Sequence, residues 1–165
     1  MSLLDLILNR RSIRRYETKD IPEEVLKQIL DAGRQAPSAG NRQPIRFVIV
    51  KNREITKNFS NALFNRFIED APVVIVGCAD EKSLLTGKWA VVDATIAMQN
   101  MIIAAWTLGI GSCWIGAFNE GKVKELLKIP DSWKVVALVT FGYPAEHPKA
   151  RNKKPFEELF NFNSF

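Results

Sequence analysis

The sequence predicts an α+β fold, a mixed α/β layer structure, on three observations. Helical runs with apolar residues three and four apart alternate along the chain with short apolar runs of strand character. One of those runs, "PVVIVGCA" (72–79), is apolar without alternation, as a strand buried on both faces must be. The stretch "GKWAVVDATIAMQNMIIAAWTLG" (87–109) is apolar nearly all round, the signature of a helix enclosed on most sides. Few strands separated by long helices pack as helical layers on one sheet.

Each element has a local reason. Ser2 and Asp5 form an S-x-x-D capping box, and Leu3, Leu4, Ile7 and Leu8 follow at helical spacing. That helix is expected to run to about Arg10 or Arg11. In "DIPEEVLKQILDAG" (20–33), Asp20 is the expected cap and Pro22 sits near the first turn. Glu23 and Glu24 suit the positive end of the helix dipole. Val25, Leu26, Ile29 and Leu30 make its apolar stripe, and Gly33 and Pro37 end it. "APSAGNRQP" (36–44) is a loop by composition, and "IRFVIV" (45–50) a strand. "EITKNFSNALFNRFI" (54–68) reads as helical, and "GSCWIGAF" (111–118) as a short strand or tight loop. "NEGKVKELLKI" (119–129) is a helix capped by Asn119, and "WKVVALVTFGYP" (133–144) a strand. The tail from 147 is basic, then aromatic. Phe156, Leu159, Phe160, Phe162 and Phe165 are too apolar for a free end, so a contact is expected there.

At 165 residues the chain fits one domain, 1–165, able to bury roughly 70% of its unfolded surface. A composition 47% hydrophobic and 25% charged excludes a disordered chain and a small disulfide scaffold. No run of about 18 consecutive apolar residues implies a membrane span. The apolar N-terminal stretch is short and broken by Asp5, so it does not read as a signal peptide and a cytoplasmic location is expected. Cys78 and Cys113 are then expected to be reduced thiols. His147 is the single histidine, which argues against a His-rich metal site and a Ser-His-Asp triad. No metal and no catalytic side chain are expected. The net charge of +5 permits an anionic ligand or a nucleic acid without choosing between them.

"RRSIRRY" (10–16) crowds four arginines behind a helix. Such a cluster is often a solvated face, or pairs with the helix C-terminus. Ser12 shifts the balance toward a phosphate socket, because guanidinium forks and a neutral hydroxyl together suit phosphate oxygens. In an extended segment Arg10, Ser12 and Arg14 share one side, and Arg11 and Arg15 point elsewhere unless the segment is still helical. "LGIGSCWIGAF" (108–118) is not a dinucleotide fingerprint, since its glycines follow a helix and enter a strand. Gly109 reads as a helix C-cap. Gly116 and Ala117 are small enough for a backbone N–H to approach a flat ligand. Asp93, Gln99 and Asn100 read as polar groups satisfied by nearby backbone.

Four stretches together resemble the nitroreductase family of FMN-dependent oxidoreductases: "RRSIRRY", "APSAGNRQPIRFVIV", "WAVVDATIAMQNMIIAAWTLGIGSCWIGAF" and "RNKKPFEEL". They stand in the family's order over nearly the whole chain. The resemblance implies a central mixed sheet flanked by helices, with the long buried helix at a homodimer interface. It implies that Arg10, Arg11, Ser12 and Arg14 grip the FMN phosphate and ribityl chain and reach the pyrimidine end. Arg151 and Lys153 match a phosphate-binding pair, although "KARNKKP" admits several alignments. Pro37, Ser38, Ala39 and Asn41 match a loop that packs on the flavin from the partner subunit. Gly116 and Ala117 match the turn whose N–H faces flavin N5. A positive group near N1 and O2, here Arg14, would stabilise the reduced flavin's negative charge. The implied function is hydride transfer from NAD(P)H to small acceptors such as nitroaromatics or quinones by a ping-pong mechanism, with no nucleic acid and no membrane as partner.

Two features depart from the family pattern. Only "DEKSLLTGKW" (80–89) stands where larger members carry a helical insertion. An Asn and a Lys used by some members fall near Phe64 and Phe67 here, with Asn65 close by. Two rival readings remain at this level. Relatives use the flavin for reductive dehalogenation or flavin breakdown. From another class, the arginines, basic tail and aromatics permit a nucleic-acid-binding module. Its stacking aromatics would have to alternate with basic residues on a strand, which they do not.

Overall fold

The computed structural model describes residues 2–60 and 65–165. Four strands form one sheet: β1 (Ile45–Val50), β2 (Val73–Ala79), β3 (Gly111–Ile115) and β4 (Lys134–Gly142), in the order β1-β2-β4-β3. All three pairings are antiparallel. The sheet expected to be mixed is therefore antiparallel among its named strands, and its parallel component is a single bridge, Ser12 to Ser112. The helices are α1 (Leu3–Asn9), α2 (Glu23–Arg34), α3 (Arg53–Lys57), α4 (Ala90–Thr107), α5 (Glu120–Leu127) and α6 (Phe156–Leu159).

Strand β2 is buried at all seven positions, as its unbroken apolar run requires. Its side chains alternate between two cores. Val73 and Ile75 meet Leu26 and Ile29 of α2 and Met98, Met101 and Ile102 of α4. Val74, Val76 and Cys78 face the opposite side, with Ile13, Tyr16, Ile68, Val123 and Leu138. Each fully buried Leu, Ile or Met side chain contributes roughly 1.5–3 kcal/mol. Helix α4 and its lead-in, Gly87–Thr107, are long and apolar enough to cross a membrane by composition. Their surroundings are the sheet and α2, which cover Ala94, Ala97, Met98, Met101 and Ala105.

Caps and ends follow the sequence in part. The Ser2–Asp5 capping box forms on both sides, and Asn119 caps α5 through the Lys122 N–H. Gly109 follows α4 at φ +75°, and the Ile110 N–H closes back on Ala105 O at 2.8 Å, as a glycine C-cap does. Helix α1 stops at Asn9, because Arg10 turns to extended backbone (φ −59°, ψ 137°) as the chain joins the sheet. Asp20 does not cap α2. Pro22 holds that position in extended backbone, with no side-chain bond. The helix expected over 54–68 is broken. Helix α3 ends at Lys57 and a 3-10 turn spans Arg66–Asp70, while residues 61–64 lie outside the described residues.

Candidate functional site

The segment after α1 lies along the edge of β3. The Ile13 N–H donates to Ser112 O at 2.9 Å, and the Glu17 N–H to Tyr143 O at 2.9 Å. Ile13 and Tyr16 pin it from below, both buried. The Tyr16 hydroxyl lies 2.7 Å from Ile13 O and 2.7 Å from Thr140 Oγ1, and burial pushes its titration far above the ordinary range. Gly111 permits the close approach, since a Cβ there would lie 2.6 Å from Ile13 Cγ1.

With the segment held this way, Arg10, Arg11, Ser12 and Arg14 line a cavity of about 490 Å³. The tail supplies the opposite wall, with Lys149, Arg151 and Lys153. The structure therefore joins the first and last predicted motifs, over 130 residues apart in sequence. The simple alternation of sides does not hold. Arg11 lines this cavity too, but its Nη1 donates to Leu8 O at 3.0 Å and Arg10 O at 2.9 Å, which caps α1. Arg15 is on neither wall of this cavity, and its carbonyl takes the Ala145 N–H.

Among the described residues, Arg14 has two further contacts. Its backbone N–H donates to Glu146 Oε1 at 2.5 Å, and its guanidinium stands 5.9 Å from the Phe67 ring centroid. Glu146 was not a sequence candidate, since nothing local tied "AEHP" to residue 14. At the end of β3, Gly116 and Ala117 are exposed, and among the described residues nothing lies within 4 Å of a Cβ built on Gly116. Buried Asn65 donates its amide to Ala117 O at 2.8 Å and so fixes this turn. A polar Asn in "FNRFIEDAP", just before the buried strand, was the available signal for it.

Pro37, Ser38 and Ala39 lie elsewhere. They line a separate depression of about 180 Å³ with Trp89, Asp93 and Ile96, and Asn41 follows in the same loop. Gly40, Asn41 and Gln43 all have left-handed φ, at 56°, 54° and 51°. Of the polar residues on α4, Asp93 accepts the Ala39 N–H at 3.1 Å and Asn100 donates to Ala32 O at 3.3 Å. Gln99 is exposed rather than backbone-satisfied, because its side of α4 faces outward. Both cysteines are buried and unpaired, and burial pushes both thiols up, Cys78 to about 11. Neither is an activated nucleophile. Among the described residues no cluster of three metal-ligating side chains occurs.

Seven cationic and hydroxyl side chains round one cavity suit a ligand with a phosphate end, and Gly116 and Ala117 are not among the residues that line it. The nitroreductase family profile matches residues 7–72 and 61–143 of this chain. The chain belongs to the nitroreductase family. A protein of Archaeoglobus fulgidus, named as an NADH dehydrogenase/NAD(P)H nitroreductase, is 42% identical over 149 residues, 87% of this chain and 86% of that one. A protein of Methanothermobacter thermautotrophicus with the same name is 37% identical over 159 residues, 92% of this chain and 82% of that one. The solved FMN-dependent nitroreductase of Clostridium difficile R20291 superposes with a TM-score of 0.88 at 30% identity, covering 98% of this chain and 99% of that one. As a nitroreductase-family oxidoreductase, the chain has its α+β fold in common with these relatives.

Proposed function

We propose that this chain is an FMN-dependent NAD(P)H oxidoreductase that reduces small acceptors such as nitroaromatics or quinones. The observation that carries the reading is the cationic cavity, built jointly by residues 10–14 and 149–153. Arg10, Ser12, Arg151 and Lys153 would hold the phosphate by charge-assisted hydrogen bonds, each contributing roughly 1.5–3 kcal/mol. Arg11 would add positive charge from its capping position. Arg14 would set a positive charge at the pyrimidine edge, kept in place by Glu146 and Phe67. The backbone at Gly116 and Ala117, held by Asn65, would offer an N–H to the ring. FMN, when bound, supplies the two-electron relay between NAD(P)H and acceptor. The protein then needs no acid or base of its own.

The active unit would be a homodimer of single-domain chains. Ser38, Ala39 and Asn41 do not line the phosphate cavity of their own chain, which supports their serving the site of a partner. Buried, unpaired cysteines support a reducing, cytoplasmic setting. The short 80–89 connection leaves Leu84 and Leu85 exposed, which supports an open acceptor side. One stacking face would serve both NAD(P)H and acceptor in turn, so steady-state plots should be parallel. Intersecting lines would refute the ping-pong order. The identity of the cofactor is tested by denaturing the purified chain and separating the released flavin by chromatography. Stoichiometric FMN is expected. FAD, or no affinity for added FMN, would overturn the reading.

A further inference from the structure

We propose that Asp93 is a positioning residue, whose carboxylate holds the 37–43 loop in its flavin-covering shape by accepting the Ala39 N–H. The proposal rests on the reading that this loop completes a flavin site. Asp93 stands in the first turn of α4 and is 3% exposed. Its neighbours Ala94 and Ala97 are fully buried, so it is a fixed post. Its Oδ1 takes the Ala39 N–H at 3.1 Å across 54 positions of sequence.

The loop's other bonds are local. The Gln43 N–H donates to Ser38 Oγ, the Asn41 N–H to Ser38 O and the Arg42 N–H to Ala39 O. Among the described residues, the bond to Asp93 is the one by which 38–43 reaches a distant element. The loop needs such a hold. Three of four consecutive residues, 40 to 43, have left-handed backbone, and two of them are not glycine.

The other carboxylate oxygen decides between a structural and a positioning role. Among the described residues, Asp93 Oδ2 is buried with no hydrogen-bond partner. A half-satisfied buried carboxylate works against folding, and an apolar side chain at 93 would remove that penalty. Packing alone therefore does not account for an aspartate here, whereas the hold on Ala39 does.

The test uses the full-length chain, with D93A, A39P and the double variant. Proline at 39 removes the donor from the loop side. Ser38 already has the extended backbone (φ −138°, ψ 157°) that precedes proline, and Ala39 opens the 3-10 turn. Two readouts are taken: hydrogen exchange of the loop amides, and the FMN dissociation constant. D93A should speed exchange across the loop and weaken FMN about 10-fold, as loss of a charge-assisted bond implies. A39P should weaken FMN comparably. On the A39P background, D93A should add less than about twofold, because both changes delete one bond. Full additivity, or D93A binding FMN within about twofold of wild type, overturns the proposal. Should D93A fail to fold, A39P decides alone, and unchanged FMN affinity overturns it. A wild-type chain that takes up no FMN sinks the functional reading instead. The exchange readout then decides the anchor, and unchanged loop exchange in D93A overturns it.

Discussion

Arg10 and Arg11 are adjacent in sequence and differ in what the fold leaves them free to do. The Arg11 guanidinium closes the C-terminus of α1. That of Arg10 makes no hydrogen bond or ion pair among the described residues and lines the cationic cavity. R10A should therefore weaken FMN by about 10-fold or more, and R11A by clearly less. R11A should also loosen α1 by about 0.3–1 kcal/mol. Flavin-fluorescence titration checks the first pair of values, and equal losses would contradict the division of labour. The cysteines give a pH prediction. Burial raises the Cys78 thiol from 9.0 to about 11, so the folded state holds its proton more tightly than the unfolded chain. The stability this contributes is complete below pH 9 and is lost as pH rises through about 11. Denaturant unfolding across that range should show the decline, which C78A should reduce. A thiol reagent at neutral pH should label Cys78 and Cys113 only after unfolding. Rapid labelling of the native protein would contradict their burial.

At the scale of elements, what was legible in the sequence is what local pattern controls. The unbroken run 72–79, the apolar helix 87–109 and the Ser2 and Asn119 caps all express themselves within one element. The early stop of α1 goes with the Ser12–Ser112 bridge to the sheet, which no local pattern encodes, whereas α2 starts after Pro22 and α3 ends at Lys57. The same divide runs through the candidate site. The residues 10–14 were visible as a charge cluster, whereas Glu146 and Asn65 act on backbone atoms 132 and 52 positions away. Two glycines test how rigidly these elements pack. A Cβ at Gly142 would lie 2.7 Å from the Pro72 ring and 2.7 Å from the Tyr16 ring, neither of which yields easily. A Cβ at Gly33 would lie 2.2 Å from Met101 Cε and 2.7 Å from its Cγ, atoms of an unbranched side chain that can shift. G142A should destabilise by about 1–3 kcal/mol, and G33A by less. Thermal or urea unfolding of the two variants checks the order, and the reverse order would contradict the packing described.

For the whole molecule, the surface carries two apolar features that a lone chain leaves uncovered. Leu3, Leu4, Ile7 and Leu8 of α1 are exposed, as are Phe156, Phe160, Phe162 and Phe165 of the tail. Apolar patches of this kind mark contact surfaces. The expected solution state is a dimer by sedimentation equilibrium, and a monomer at micromolar concentration would leave these faces unexplained. The central claim is that each FMN is held by two chains, Arg10 and Arg14 from one and Ser38 and Asn41 from the other. Mixing two defective chains tests it most directly. R10E and N41R are each designed to abolish FMN binding, and each homodimer should be inactive. In a heterodimer made by unfolding and refolding the two together, one site collects both faults and the other neither. The account predicts recovery of FMN binding and activity to at most one site per heterodimer. Heterodimers that demonstrably form yet recover nothing would place both motifs on one chain and contradict it.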